Sequence, residues 1–196
     1  VKLTLDDIAD LRAYEREREA FRERIIALKR VRRVQVGPVV TLVFENRDTV
    51  RFQVQEMARA EKLLSDEQIR LELDVYNPLI PEAGQLSATL FVELTSEEQM
   101  REWLPKLVGI ERAVELRMGD RSVRCMPEEQ HARQLTREEV TASVHYVRFE
   151  LTPEEVVAFE AEPVVLAVDH PAYHEATPLS DETKASLRHD LLGLHG

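Results

Sequence analysis

Cysteine is nearly missing from this chain. Cys125 stands alone, so an internal disulfide and a cysteine-based zinc site are excluded, and a reducing, cytoplasmic setting is expected. Glycine is scarce too, with six residues in 196. There is no Gly-x-Gly-x-x-Gly and no Walker phosphate loop, which argues against dinucleotide binding and nucleotide hydrolysis, because both need backbone that can approach a pyrophosphate closely. Gly-x-Ser-x-Gly and His-Glu-x-x-His are absent as well. No apolar run approaches the roughly 18 residues of a membrane span. The opening VKLTLDDIAD has no apolar stretch of the kind that marks a secretory leader. Positive charge is in deficit: the formal net charge of −11 opposes general affinity for nucleic acid or anionic lipid.

What is present reads as a soluble globular chain, 43% hydrophobic and 32% charged. Its length suits one domain with a helical extension. The division expected within residues 1–196 is N-terminal helices over 1–33, strands plus a helix pair over 34–85, a sheet region over 86–170, and a C-terminal loop and helix over 171–196. Residues 1–33 carry 10 Lys+Arg against 7 Asp+Glu. Lys29, Arg30, Arg32 and Arg33 sit at the end of this stretch, where cations complement a helix C-terminus. The alternative for them is a small RNA- or phosphate-binding patch.

Thr4-Leu5-Asp6-Asp7 has the form of a capping box and predicts a short helix through Leu11. Tyr14, Phe21, Ile25 and Leu28 then form one stripe of a longer helix over residues 12–30, suited to covering the chain's own core or a partner. Val34 and Val36 precede Gly37-Pro38, a turn signal, and Val39–Phe44 follows as a strand. Residues 49–55 are ambiguous between strand and helix. The spacing of charged residues through Lys62 favours a helix from about Asp48. Ser65 or Asp66 caps the next helix, which places Ile69, Leu73 and Tyr76 inward and stops before Pro78.

In the second half, Phe91–Glu98 echoes Arg148–Glu155: each is a strand ending in Leu-Thr, followed by an acidic helix start with Thr95 or Thr152 as cap. Strands Val114–Met118 and Val164–Val168 follow. A hairpin through Gly119-Asp120 and an acidic link over 127–141 join the two units. The fold expected is α+β, a mainly antiparallel sheet with two βαβ-like units of ferredoxin-like character, helices on one face, and an N-terminal helical extension. In Ser143–Phe149, period-2 alternation puts Val144, Tyr146 and Arg148 on one face and His145, Val147 and Phe149 on the other. Met100 and Trp103 are expected in the core. Cys125 has only Arg124 as a basic neighbour, and on the opposite face, so no nucleophilic role is expected of it.

Chemistry is sparser. Arg51, Gln53, Gln55, Glu56, Arg59 and Glu61 lie among core-type residues, which suggests a partly buried polar network, with Glu56 and Arg59 close enough to pair. Asp169-His170-Pro171-Ala172-Tyr173-His174 follows a Val-rich strand, and strand ends often meet ligands. His170 and His174 have helical metal spacing, but Pro171 opposes a helix there. The residues singled out, as ligand-binding or structural, are Arg51, Gln55, Glu56, Arg59, Asn77, His145, Asp169 and His170. The favoured role is a structural network that sets the helical layer beside the Asp-His-Pro corner, with no metal or other cofactor. The alternative is a metal- or small-ligand-dependent enzyme using Glu56, His145, Asp169 and His170.

Six blocks occur in order: Gly37-Pro38; Phe44-Glu45-Asn46-Arg47; Gln53-Val54-Gln55-Glu56-Met57; Tyr76-Asn77-Pro78-Leu79-Ile80-Pro81; Ser143-Val144-His145; and Asp169-His170-Pro171-Ala172-Tyr173. Together they resemble a bacterial family of similar length known only as a conserved domain of unknown function. The resemblance covers nearly the whole chain. It implies genes beside rubrerythrin and an iron–sulfur oxidoreductase related to heterodisulfide-reductase or glycerol-phosphate-dehydrogenase subunits. It therefore implies an accessory role in redox or peroxide handling through those protein partners. It supplies no catalytic residue.

Overall fold

The computed structural model describes residues 1–129 and 139–194. Two antiparallel sheets stand face to face. The first has strand order β1-β2-β3-β7-β6, from β1 (Arg33–Val36), β2 (Val40–Glu45), β3 (Gln85–Val92), β7 (Val144–Glu150) and β6 (Met126–Pro127). The second runs β5-β4-β8-β9, from β5 (Arg121–Arg124), β4 (Val114–Met118), β8 (Val164–His170) and β9 (Tyr173–Pro178). Alternation decides which side chains meet between them. Leu42, Phe44, Leu86, Ala88, Leu90, Val147 and Phe149 point inward from the first sheet. Val114, Leu116, Met118, Val164, Leu166 and Val168 answer from the second, and all are buried in one cluster.

The α+β class and the antiparallel pairing are as expected; the division into two sheets is not. Each strand–helix–strand unit carries the chain from one sheet to the other: β3 through α4 (Glu97–Lys106) to β4, and β7 through α5 (Pro153–Ala161) to β8. The helices explain why. No residue of α4 is buried, and Phe159 alone is buried in α5, so neither can cover a sheet face as a ferredoxin-like layer would. The inward faces of the strands bury against each other instead. The sheets are also joined at both margins. The chain passes from β5 through buried Cys125 into β6, and on the other side Thr177 of β9 donates to the Gln35 carbonyl of β1 at 2.8 Å. The Tyr173 hydroxyl fastens the same margin by donating to the Val36 carbonyl (2.5 Å) and accepting from the Val39 and Val40 amides (3.2 Å each).

A helical layer lies on the outer face of the first sheet. It consists of α1 (Leu11–Arg32), α2 (Arg47–Glu61) and α3 (Asp66–Tyr76), followed by a one-turn 3-10 helix at Asn77–Leu79. The ambiguous stretch 49–55 is helical because Asn46 caps it, accepting from the Asp48 and Thr49 amides at 3.0 Å each while Thr49 Oγ1 takes the Asn46 amide. The stripe of α1 faces α2, where Tyr14, Phe21 and Ile25 bury with Phe52 beside them. Helix α6 (Asp181–Leu191) closes the chain and packs against α1.

Smaller details depart from expectation. The N-terminal capping box opens one 3-10 turn, Leu5–Asp7, and α1 starts afresh with Asp10 as its cap. Ser96, not Thr95, caps α4, because its hydroxyl accepts from the Gln99 amide. Met100 is exposed, whereas Trp103 packs on the core as expected. The acidic link expected over 127–141 lies largely outside the described residues. Among those residues, no helix is long and apolar enough to cross a membrane.

Candidate functional site

The eight residues singled out in the sequence separate into distinct systems. Four of them, on α2, hold that helix to α1 and to the segment before it. Glu56 receives the Arg18 guanidinium in two parallel bonds (2.8 and 2.9 Å) and the Tyr14 hydroxyl at 2.7 Å. The Arg18 hydrogen bonds hold its carboxyl below the usual glutamate range. Burial, and then Glu56 itself, push the Tyr14 phenol up. Arg51 donates to the Asp7 carbonyl (2.7 Å) and to Glu17 (3.1 Å), with its guanidinium 4.9 Å from the centre of the Phe21 ring. Gln55 is fully buried and exchanges two bonds with the Ala9 backbone, its Oε1 accepting the amide at 2.7 Å and its Nε2 donating to the carbonyl at 3.2 Å. Arg59 pairs with Glu15 of α1, so the expected Glu56–Arg59 pair is not made. Glu56 and Arg59 thus find their partners on α1, Gln55 finds its partner in the segment before it, and Arg51 reaches both.

Asn77 binds the N-terminal segment in the same two-way manner, accepting the Leu3 amide at 2.8 Å and donating to its carbonyl at 2.9 Å. The remaining three belong to the sheets. His145 is buried on the inner face, as alternation predicts, with Nε2 2.8 Å from Thr141 Oγ1 and 2.9 Å from the Ala142 carbonyl. Burial holds its pKa below the usual histidine value, against an opposing pull from Glu111. His170 uses both ring nitrogens: Nδ1 accepts the Ala172 amide at 3.1 Å, which leaves the proton on Nε2 to donate to the Val108 carbonyl at 2.8 Å. Asp169 is exposed and lies 3.2 Å from His174 and 3.4 Å from Arg124. The single network expected to join Glu56 to the Asp-His-Pro corner is therefore replaced by separate clusters. α2 sits outside the first sheet, and His170 sits on the second, with the inter-sheet core between. Among the described residues, no group of three or more His, Cys, Asp or Glu side chains is arranged to hold a metal ion. Burial pushes the Cys125 thiol up to about 12, which keeps it a thiol.

Sequence reasoning passed over two features. The first is Arg32. Placed with the basic end of α1, it is 1% exposed and spends all five N–H donors inside the protein. Nε reaches the Phe44 carbonyl (2.8 Å), Nη2 the Glu45 carbonyl (3.0 Å), Nη1 the Ser186 hydroxyl (3.1 Å), and both Nη atoms the buried Asp190 carboxylate of α6. Its neighbour Arg33 pairs with Glu93 at the surface.

The second is a cleft of about 220 Å³ between the helical layer and the outer face of the first sheet. The strands supply its floor. Thr89 and Tyr146 are directly paired across β3 and β7, Phe91 and Val144 form the next row, and Glu45 comes from the end of β2. Val50 and Gln53 of α2, Tyr76 at the end of α3 and Leu79 after it form the roof; Lys29, one turn from the end of α1, closes a side. Glu45 is only 9% exposed, and its Oε1 accepts the Thr89 hydroxyl at 2.6 Å. Among the described residues it has no other side-chain partner, and Lys29 makes no hydrogen bond or ion pair. Gln53 bonds the Tyr76 phenol. Burial raises the pKa of both Tyr76 and Tyr146, so both remain protonated hydroxyls near neutral pH. The cleft thus sets one carboxylate and one ammonium, unpaired with each other, among aromatic and aliphatic walls.

Residues 2–191 match the model of a family described as "Protein of unknown function (DUF3501)". A crystal structure of a novel protein of unknown function from Burkholderia pseudomallei K96243 is 38% identical in sequence. It superposes with a TM-score of 0.89 over 97% of this chain and 100% of that one. No curated protein matches.

Proposed function

This chain belongs to the DUF3501 family of proteins of unknown function, and from that premise we propose a binding protein that receives a small ligand in the cleft and acts through contacts with a protein partner. The observation that carries the reading is the pairing pattern. Glu56, His170 and Arg32 are committed to partners inside the fold, while Lys29 and Glu45 face a common space without pairing. Polar groups converging in a concave, partly apolar site are the usual form of a ligand site. For the partner, α3 offers an exposed apolar pair one turn apart, Leu71 and Val75, with Leu64 just before the helix.

The resemblance drawn from the sequence blocks supports placing this activity in cytoplasmic redox or peroxide metabolism, with rubrerythrin or an iron–sulfur oxidoreductase as the partner. The test is purification from the native host at endogenous level, with mass spectrometry of both co-eluting proteins and released small molecules. Co-elution with a redox protein, weakened by Leu71→Glu and Val75→Glu, is the expected result. A chain that elutes alone, carrying nothing, at its own mass would overturn the proposal.

A further inference from the structure

We propose that the cleft takes a small zwitterion, an amino-acid-sized molecule with one ammonium group, one carboxylate and an uncharged apolar body. The inference rests on the reading of the cleft as a ligand site and goes on to name the ligand's chemistry. Size sets the first bound. The cleft, about 220 Å³, lies below the roughly 300–1,000 Å³ usual for drug-sized ligands, which favours an amino-acid-sized molecule over a nucleotide.

Charge sets the second bound. Glu45 is nearly buried, and one neutral donor, Thr89, leaves most of its acceptor capacity unused. Its second oxygen is not among the buried atoms left without a partner and so opens onto the cleft, where a cation can meet it. Tyr76, Phe91 and Tyr146 line the same space, and aromatic rings attract such a group. Lys29, half-buried, presents the opposite charge, an ammonium with no anionic partner among the described residues. No ion pair joins the two side chains, so neither answers the other. A ligand carrying both charges satisfies both at once, and one carrying a single charge leaves one unanswered. Val50, Leu79 and Val144 supply the apolar surface for the ligand's body. A second charge on that body would find no partner there, which disfavours arginine-like and glutamate-like molecules.

The experiment is calorimetric titration of the full chain with L-leucine and L-phenylalanine. It is run beside 3-methylbutylamine and 4-methylpentanoate, which are leucine without its carboxylate and leucine without its ammonium, and beside L-arginine and L-glutamate. The neutral zwitterions are expected to bind at least tenfold more tightly than either singly charged analogue and than either charged amino acid. Glu45→Gln, which retains an acceptor for Thr89, should weaken leucine tenfold or more and leave 4-methylpentanoate unchanged. Lys29→Met should weaken leucine and leave 3-methylbutylamine unchanged. Circular dichroism checks that each variant is folded; if Glu45→Gln is not, Lys29→Met on the cleft's side carries the test. An analogue with one charge that binds as well as leucine would overturn the zwitterion and keep the cleft as a binding site. A folded protein that binds none of the six, and that carries no small molecule when purified from its host, overturns both.

Discussion

Replacing Asp190 by Asn should be among the most damaging shape-conserving changes available in this protein. Arg32 lies in the last turn of α1, 1% exposed, and Asp190 lies on α6 at 4%. Asn preserves the volume but removes the counter-charge, and a guanidinium does not escape by losing its proton. The three remaining acceptors, the Phe44 and Glu45 carbonyls and the Ser186 hydroxyl, are neutral. Breaking a buried pair in this way costs about 3–5 kcal/mol. Against a total of about 5–15 kcal/mol for a folded domain, that is about a fifth or more of the stability. In melting temperature it corresponds to a drop on the order of 6–20 °C for a chain of this size.

The assay is urea unfolding at pH 7, with midpoint and slope followed together so that a change in the unfolded ensemble is recognised. Removing both charges, as Arg32→Met with Asp190→Leu, should recover part of the loss. The recovery stays partial because the Phe44 and Glu45 carbonyls then lack donors. A loss below about 1 kcal/mol for Asp190→Asn, with slope unchanged, would show that water reaches the pair and would refute the reasoning.

Glu56→Gln should destabilise the protein by about 1–2 kcal/mol at pH 7, because the Arg18 fork and the Tyr14 hydroxyl lose a charged acceptor in a partly exposed site. Since the folded carboxyl titrates below its ordinary value, that contribution is present above about pH 4.3 and disappears as pH falls through the folded value. Wild type and variant should therefore converge in acid urea melts, and a constant gap would contradict the assignment. For His145 the sign is set by its lowered folded pKa: below about pH 6.5 the unfolded chain takes up a proton that the native state refuses. Stability should therefore fall as the pH drops below about 6.5, and His145→Gln should flatten that fall measurably. Gly37→Ala should cost about 1–3 kcal/mol in thermal melts: Gly37 has φ +72°, and a Cβ there would stand 2.4 Å from the Tyr173 hydroxyl oxygen.

Local patterns were read well because neighbouring residues create them. The caps at Ser65 and Thr152 each act within three positions of themselves. The face assignment of residues 144–149 follows from the pleat alone. The antiparallel α+β class followed from strands separated by short turns and short helices. The arrangement in two sheets did not, because it depends on whether α4 and α5 can cover a face, and a pair of nine- or ten-residue helices with acidic starts gives no local sign of that. The Arg32–Asp190 pair spans 158 positions, and nothing around Arg32 separates it from Arg30 or Arg33, which face solvent.

The polar residues of α2 were recognised, but their direction was not, and helix geometry shows why direction decides their role. At 100° per residue, Arg51, Gln55, Arg59 and Glu56 fall between about 100° and 240° from Val50, whereas Val50 and Gln53 themselves centre near 330°. One helix therefore turns its clamp toward α1 and, on the opposite side, its roof toward the cleft. The dense polar content that drew attention to this stretch fixes the position of the helix. The chemistry proposed here lies on its other face, completed by Glu45 from a strand and Lys29 from α1. Because the clamp holds the roof, ligand and clamp are linked: an occupant of the cleft binds the docked arrangement and stabilises it. Loosening the clamp through Glu56 should then weaken ligand binding, although Glu56 touches no part of the cleft.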